Sequence, residues 1–99
     1  ELDIRHLDRI ALLARGRISL IEVEVHPAAP DRLVAELGLP SQTVLVAAIR
    51  EGAAEEVVVP RGDTVIRPGD RLLVVTTVEN ESAVRAALSR ETAARGDDH

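Results

Sequence analysis

Few residues of this chain are of types and spacings that do chemistry. Arg61-Gly62-Asp63 has the composition of an adhesion tripeptide, and Gly69-Asp70 repeats its last step. Both lie in VVVPRGDTVIRPGDRLLVV (57–75), between runs of Val, Ile and Leu. Pro presets φ, Gly accepts positive φ, and Asp bonds nearby backbone N–H groups, so these steps read as turns between strands. Asp63 is expected to bond the backbone ahead of it, and Asp70 to accept N–H bonds from the Pro68-Gly69 turn.

Other chemistries find less support. His6, His26 and His99 are scattered, whereas a metal needs ligands at short spacing. His6 with Asp3 and Asp8 reads as a chance cluster, and His26 before Pro27 as a surface residue at a strand end. Ser19, Ser41, Ser82 and Ser89 lie in no nucleophile elbow. The glycines never fall at G-x-G-x-x-G spacing. The chain is therefore read as not an enzyme.

Composition narrows the field further. The chain has 99 residues, enough for one domain with a modest core. Hydrophobic residues make up 45% and aromatics 0%, so the core is aliphatic and no ring stacks an exposed base. The net charge of −5 lacks the footprint of a nucleic-acid binder, so no nucleic-acid partner is expected. All 12 basic residues are Arg; without Lys there is no Schiff base and no P-loop lysine. With 0 Cys, thiol catalysis, disulfides and Cys-ligated zinc are excluded. No apolar run approaches the ~20 residues of a membrane helix. The chain opens on Glu1 and contains no Met, which predicts a piece of a longer chain.

The elements that position these residues follow from hydrophobic period and breakers. Residues 1–16 fit either a helical stripe or a short strand at RIALL, and are expected to form a connector packed on the domain, with exchange onto a partner left open. ISLIEVEV (18–25) alternates as a half-buried strand. APDRLVAELGLP (29–40) reads as a short helix with Leu33, Val34 and Leu37 inward, stopped by Gly38 and Pro40. TVLVAAIRE (43–51) is nearly continuous apolar, which predicts a central strand covered on both faces. EEVVVP (55–60) is the next strand, TVIRPGD (64–70) a short strand or link, and RLLVVTT (71–77) the last strand. VENESAVRAALSR (78–90) reads as a helix with Thr77 as N-cap and Val84, Ala87 and Leu88 inward. A polar tail follows at 91–99. The fold class is α+β: a small, mixed, mostly antiparallel sheet of four to five strands with two helices in β-α-β-β-β-α order.

In that order the motifs resemble one family. They are Glu22 on the first strand, Glu36-Leu37-Gly38-Leu39-Pro40, Ile49-Arg50-Glu51-Gly52, Val59-Pro60, and Asp63-Thr64-Val65-Ile66-Arg67-Pro68-Gly69-Asp70-Arg71-Leu72. Across 17–90 they resemble the TrkA-C (RCK-C) domain, the C-terminal regulatory domain of bacterial potassium channel and transporter regulators. Ala53-Ala54-Glu55-Glu56 lengthens the turn that the family keeps short.

The resemblance implies a non-enzymatic sensor that pairs as a homodimer. It implies a preceding Rossmann nucleotide-binding domain or a membrane domain in the same chain, and a membrane cation transporter as partner. It places the domain in the cytoplasm, at the inner face of the membrane. Effector binding would be transmitted to gating; a ligand-free structural dimerisation module of a cation transporter or antiporter is the rival reading. No cofactor is expected in the domain itself, although some family members bind cyclic di-AMP in a pocket at the two-fold axis. The matching positions here are Ser41, Gln42, Thr43, Val46, Ala47 and Arg50.

Overall fold

The computed structural model describes residues 4–88. Among the described residues there are seven strands: β1 (Ile4–Leu13), β2 (Ile18–Val25), β3 (Arg32–Leu33), β4 (Thr43–Arg50), β5 (Glu56–Val58), β6 (Val65–Ile66) and β7 (Arg71–Thr77). An α-helix, α1, covers 81–88. The main sheet is ordered β1-β2-β7-β4-β5 with every neighbouring pair antiparallel, and β3 and β6 form a separate two-stranded ribbon. The expected small α+β domain with a mostly antiparallel sheet is what forms. The tail at 91–99 lies outside the described residues.

Period-2 patterning decides which side chains enter the core. Ser19, Ile21, Val23 and Val25 of β2 are buried, as are Leu72, Val74 and Thr76 of β7. Register places Ile21 opposite Val74 and Val23 opposite Leu72, so these strands share one buried face. Leu45 and Ala48 of β4 join it, with Val84 and Leu88 of α1 and Ile66 of the ribbon above. Without aromatic rings, the cluster is aliphatic throughout, each fully buried Ile, Leu or Val contributing about 1.5–3 kcal/mol.

Three expectations are corrected. No α-helix forms over 29–40: Arg32 and Leu33 pair with Ile66 and Val65, and only a one-turn 3₁₀ helix, Val34–Glu36, follows. Pro30 and Gly38, the latter at φ +63, leave too short a window for a helix to recover its nucleation cost. Leu33 N–H bonds Glu36 Oε1 at 3.1 Å and fixes that turn. Leu37 is buried, but Leu33 is exposed. Second, β4 is covered on one face only, because Val44 and Val46 are 62% and 44% exposed. Third, Thr77 precedes the 3₁₀ turn Val78–Asn80 in extended conformation and makes no side-chain cap bond. Val84, Ala87 and Leu88 do point inward.

The segment expected as a connector supplies β1, the sheet's first edge strand. Register shifts between Ile4 and His6 and between Arg9 and Ala11 kink it against β2. Ala14, Arg15 and Gly16 turn the chain into β2 at φ +52, +58 and +82. Glycine adopts that region freely, whereas Ala and Arg each give up about 1–2 kcal/mol there.

Candidate functional site

The Gly-Asp steps are turns, and the second also builds a lock. Asp70 N bonds Arg67 O at 3.1 Å across Pro68-Gly69, with Gly69 at φ +81. That is the type II turn its residues demand. Arg67 N donates to Asp70 Oδ2 at 2.9 Å, as expected. Arg50 reaches Asp70 from β4, Nε to Oδ1 at 3.2 Å and Nη2 to Oδ2 at 3.0 Å, and Nη2 also donates to Val65 O at 2.9 Å. The Asp70 carboxylate holds the Arg50 guanidinium above its ordinary pKa. In the Arg61-Gly62-Asp63 turn, Arg61 N donates to Thr64 Oγ1 at 2.8 Å, so Thr64 takes the role expected of Asp63.

The six candidate ligand positions fall into separate groups. Ser41 and Gln42 are exposed in the turn before β4, and Thr43 opens the strand. Thr43 Oγ1 lies 2.9 Å from Thr76 Oγ1. Thr76 Oγ1 donates to Gln42 O at 3.2 Å, and Asn80 Nδ2 bonds Ser41 O. A neutral polar lip results, with Thr76 and Asn80 as members that sequence reasoning missed. Val46 is the extra residue of a bulge between Leu45, opposite Val74, and Ala47, opposite Leu73. Arg50 lies seven residues beyond Thr43, about 23 Å along a strand. Within one chain these residues therefore line no common cavity. A cleft of about 240 Å³ does lie beside Arg50, Glu51, Arg67, Pro68, Gly69 and Asp70.

The sheet face turned away from α1 is apolar at its centre. Leu20 lies opposite Val75, Val75 opposite Val44, and Ile18 opposite Thr77. Leu73 and Ile49 extend this surface, together with exposed Val46 and Val57. Charges gather at one end: Arg71 lies 2.7 Å from Glu55, 3.2 Å from Glu51 and 3.7 Å from Glu22. Arg71 Nε is buried without a hydrogen-bond partner.

On the opposite face a further ion pair ties the sheet edge to the helix. Arg9 bonds both carboxylate oxygens of Glu81, Nε at 2.9 Å and Nη2 at 2.8 Å, and Ser19 Oγ donates to the same carboxylate. These bonds hold Glu81 at about 2, below the usual carboxylate range. Arg85 Nη1 adds a bond to Leu7 O at 3.3 Å. No local signal announces a pairing between residues 72 apart.

Among the described residues no cluster of His, Cys, Asp and Glu is placed to hold a metal. No helix among them is long and apolar enough to cross a membrane. The hydroxyls of Ser19, Thr43 and Thr76 are engaged with a carboxylate, a carbonyl or one another.

Nearly all of β2, the strands from β3 to β7 and the Arg50–Asp70 lock fall within residues 19–89, which match the TrkA-C domain. The chain belongs to the TrkA-C domain family. A relative, the Trk system potassium uptake protein TrkA homolog of Archaeoglobus fulgidus, is 34% identical over 73 residues, covering 72% of this chain. The chain spans 16% of that relative's length. The TrkA-C match begins inside β2, so β1 and its left-handed turn precede the matched residues.

Proposed function

We propose that this TrkA-C domain is a non-enzymatic regulatory module of a potassium transport system. It pairs with a second copy and passes changes in that pairing to cation flux. The open aliphatic face of β2, β7 and β4 carries this reading, together with the potassium-uptake name of the relative. Three strand widths and about seven residues per strand give the face roughly 330 Å² in projection. That is the size of the largest patch on an ordinary monomer and somewhat under half of the ~800 Å² per partner of a standard interface. The transporter, a preceding nucleotide-binding or membrane domain, and a place at the cytoplasmic side of the membrane belong to the same proposal.

Two versions differ in whether this domain takes the effector itself. In the sensing version a ligand such as cyclic di-AMP lies across the two-fold axis. Gating then follows from its unequal affinity for two arrangements of the pair. In the rival the domain is a ligand-free dimerisation module. One observation favours the rival: Arg50, the cation among the six candidate anchors, is already committed to Asp70 and Val65 O.

Calorimetric melting with cyclic di-AMP, other cyclic dinucleotides and common nucleotides separates the versions. A ligand at about 100 times its Kd adds about 2.7 kcal/mol, a rise of several degrees for a domain of this size. A rise with one nucleotide supports sensing, and no rise with any supports the ligand-free module. A monomer by light scattering at high concentration overturns both.

A further inference from the structure

The β1–β2 turn is built of the wrong residues for its shape. Two consecutive positive φ values at the centre of a β-turn favour Gly, Asn or Asp. Here Ala14 and Arg15 occupy them at φ +52 and +58. Gly16 follows at φ +82, making three left-handed residues in a row. The turn closes with Gly16 N and Arg17 N each 3.1 Å from Leu13 O. Nothing in those side chains compensates the backbone they are forced into.

The strand that this turn holds in place is an edge strand, paired on one side only. The TrkA-C match starts at residue 19, beyond β1 and the turn. Of β1, Ile4 and Leu7 pack as half-buried residues against the core, while Ile10, Leu12 and Leu13 are exposed. The strand is nonetheless held by specific contacts. It pairs with β2 from Ile4↔Val25 to Leu13↔Ile18, and Arg9 grips Glu81 through two bonds. Every one of these acceptor groups is offered identically by a second copy of the chain.

We infer that β1 exchanges between two copies: each β1 lies on the partner's β2, with Arg9 on the partner's Glu81. The inference rests on the homodimer reading above and specifies how the pair is joined. Exchange keeps the β1–β2 ladder and the Arg9–Glu81 pair, and gives up the bonds to Leu13 O. In return, Ala14 and Arg15 relax into the extended conformation their side chains prefer. Strained short hinges favour this outcome. Residues 14–17, once extended, reach roughly 13 Å, between two and three strand spacings. The exchanged strand also adds contact area to an open face that by itself falls short of a standard interface.

The test uses the absence of native cysteine. Leu7 and Val23 are register partners on the face that α1 covers, where a pair joined only through the open face cannot bring them together. Chains carrying Leu7→Cys and chains carrying Val23→Cys are refolded together and oxidised, and the oligomeric state is read by light scattering. The expected result is a disulfide between the two chains. In an Ala14→Asn/Arg15→Gly background, which installs the preferred turn, the linked fraction should fall at least tenfold. A dimer without the interchain disulfide overturns strand exchange and leaves the homodimer standing; a monomer overturns both.

Discussion

Arg50 and Asp70 meet side-on, the Nε and Nη2 of one against the two carboxylate oxygens of the other, at 3.2 and 3.0 Å. The Asp70 side chain is 2% exposed and that of Arg50 19%. A buried carboxylate needs every partner it has, and the third is Arg67 N–H. The pair pins the last residue of β4 to the turn that feeds β7, while Nη2 reaches the ribbon at Val65 O. One guanidinium thereby fixes how the turn and the ribbon sit on the sheet.

Removing the cation is predicted to cost more than neutralising the anion. Arg50→Met leaves Asp70 buried with one N–H donor, an expected loss of about 3 kcal/mol. Asp70→Asn keeps an acceptor for Arg67 N–H and leaves Arg50 partly open to water, an expected loss of about 1–2 kcal/mol. At 4–8 °C per kcal/mol for a domain this small, about 10 °C or more should separate wild type from Arg50→Met in thermal melting. Equal melting temperatures for the two variants would contradict this account of the lock.

Glu81 makes the β1–α1 contact sensitive to acid. Its pKa of about 2 lies below its ordinary 4.5, first through the bonds from Arg9 and then through the Ser19 bond. A carboxylate depressed by folding stabilises fully above its unfolded pKa. That stabilisation is lost as pH falls from about 5 towards 2. Urea midpoints at pH 6 and pH 3 should therefore differ more for wild type than for Glu81→Gln. At pH 6 the variant should be less stable by about 1 kcal/mol, as befits a partly exposed bidentate pair. An unchanged pH difference in the variant would show that Glu81 carries none of it.

Thr76 is buried and shares its hydroxyl between Thr43 Oγ1 and Gln42 O. Thr76→Val keeps the shape and leaves both partners short of a bond, so the expected loss is about 1 kcal/mol by chemical denaturation. Because Thr76 organises Ser41–Thr43 through these bonds, amide exchange in that turn should quicken. Stability at or above wild type would mean that the lip contributes nothing to the fold.

What was legible in the sequence were features set by local chemistry. The alternation in ISLIEVEV gives β2 its faces, and Pro68-Gly69 builds the turn that its types demand. Glu36 is a different case. It sits in a pattern that looks helical, yet Arg32 and Leu33 are taken by the distant partners Ile66 and Val65, and tertiary pairing overrides propensity. β1 was ambiguous because its charged residues meet partners far along the chain: Arg9 pairs with Glu81, and Arg5 lies 3.7 Å from Glu24. The candidate ligand positions came from motif alignment, which carries no information on direction. Only the bulge at Val46 and the faces of β4 show that Val46 is exposed while Arg50 is turned to Asp70.

The apolar run of β4 has a physical reason if a second copy covers it. A strand with solvent on one face would ordinarily alternate with polar residues. Val44 and Val46 instead present aliphatic surface beside Leu20, Leu73 and Val75. Val44→Asp or Val46→Asp places a charge where the monomer has little to lose, so monomer stability should change by no more than about 0.5 kcal/mol. In a pair closed over this face the same charge is desolvated without a partner, and self-association should weaken at least tenfold by sedimentation or light scattering. Leu33→Asp, on the ribbon outside the main sheet, serves as the control and should leave association unchanged. If both β4 variants associate like wild type, the contact lies elsewhere on the domain and the open face is not the dimer surface.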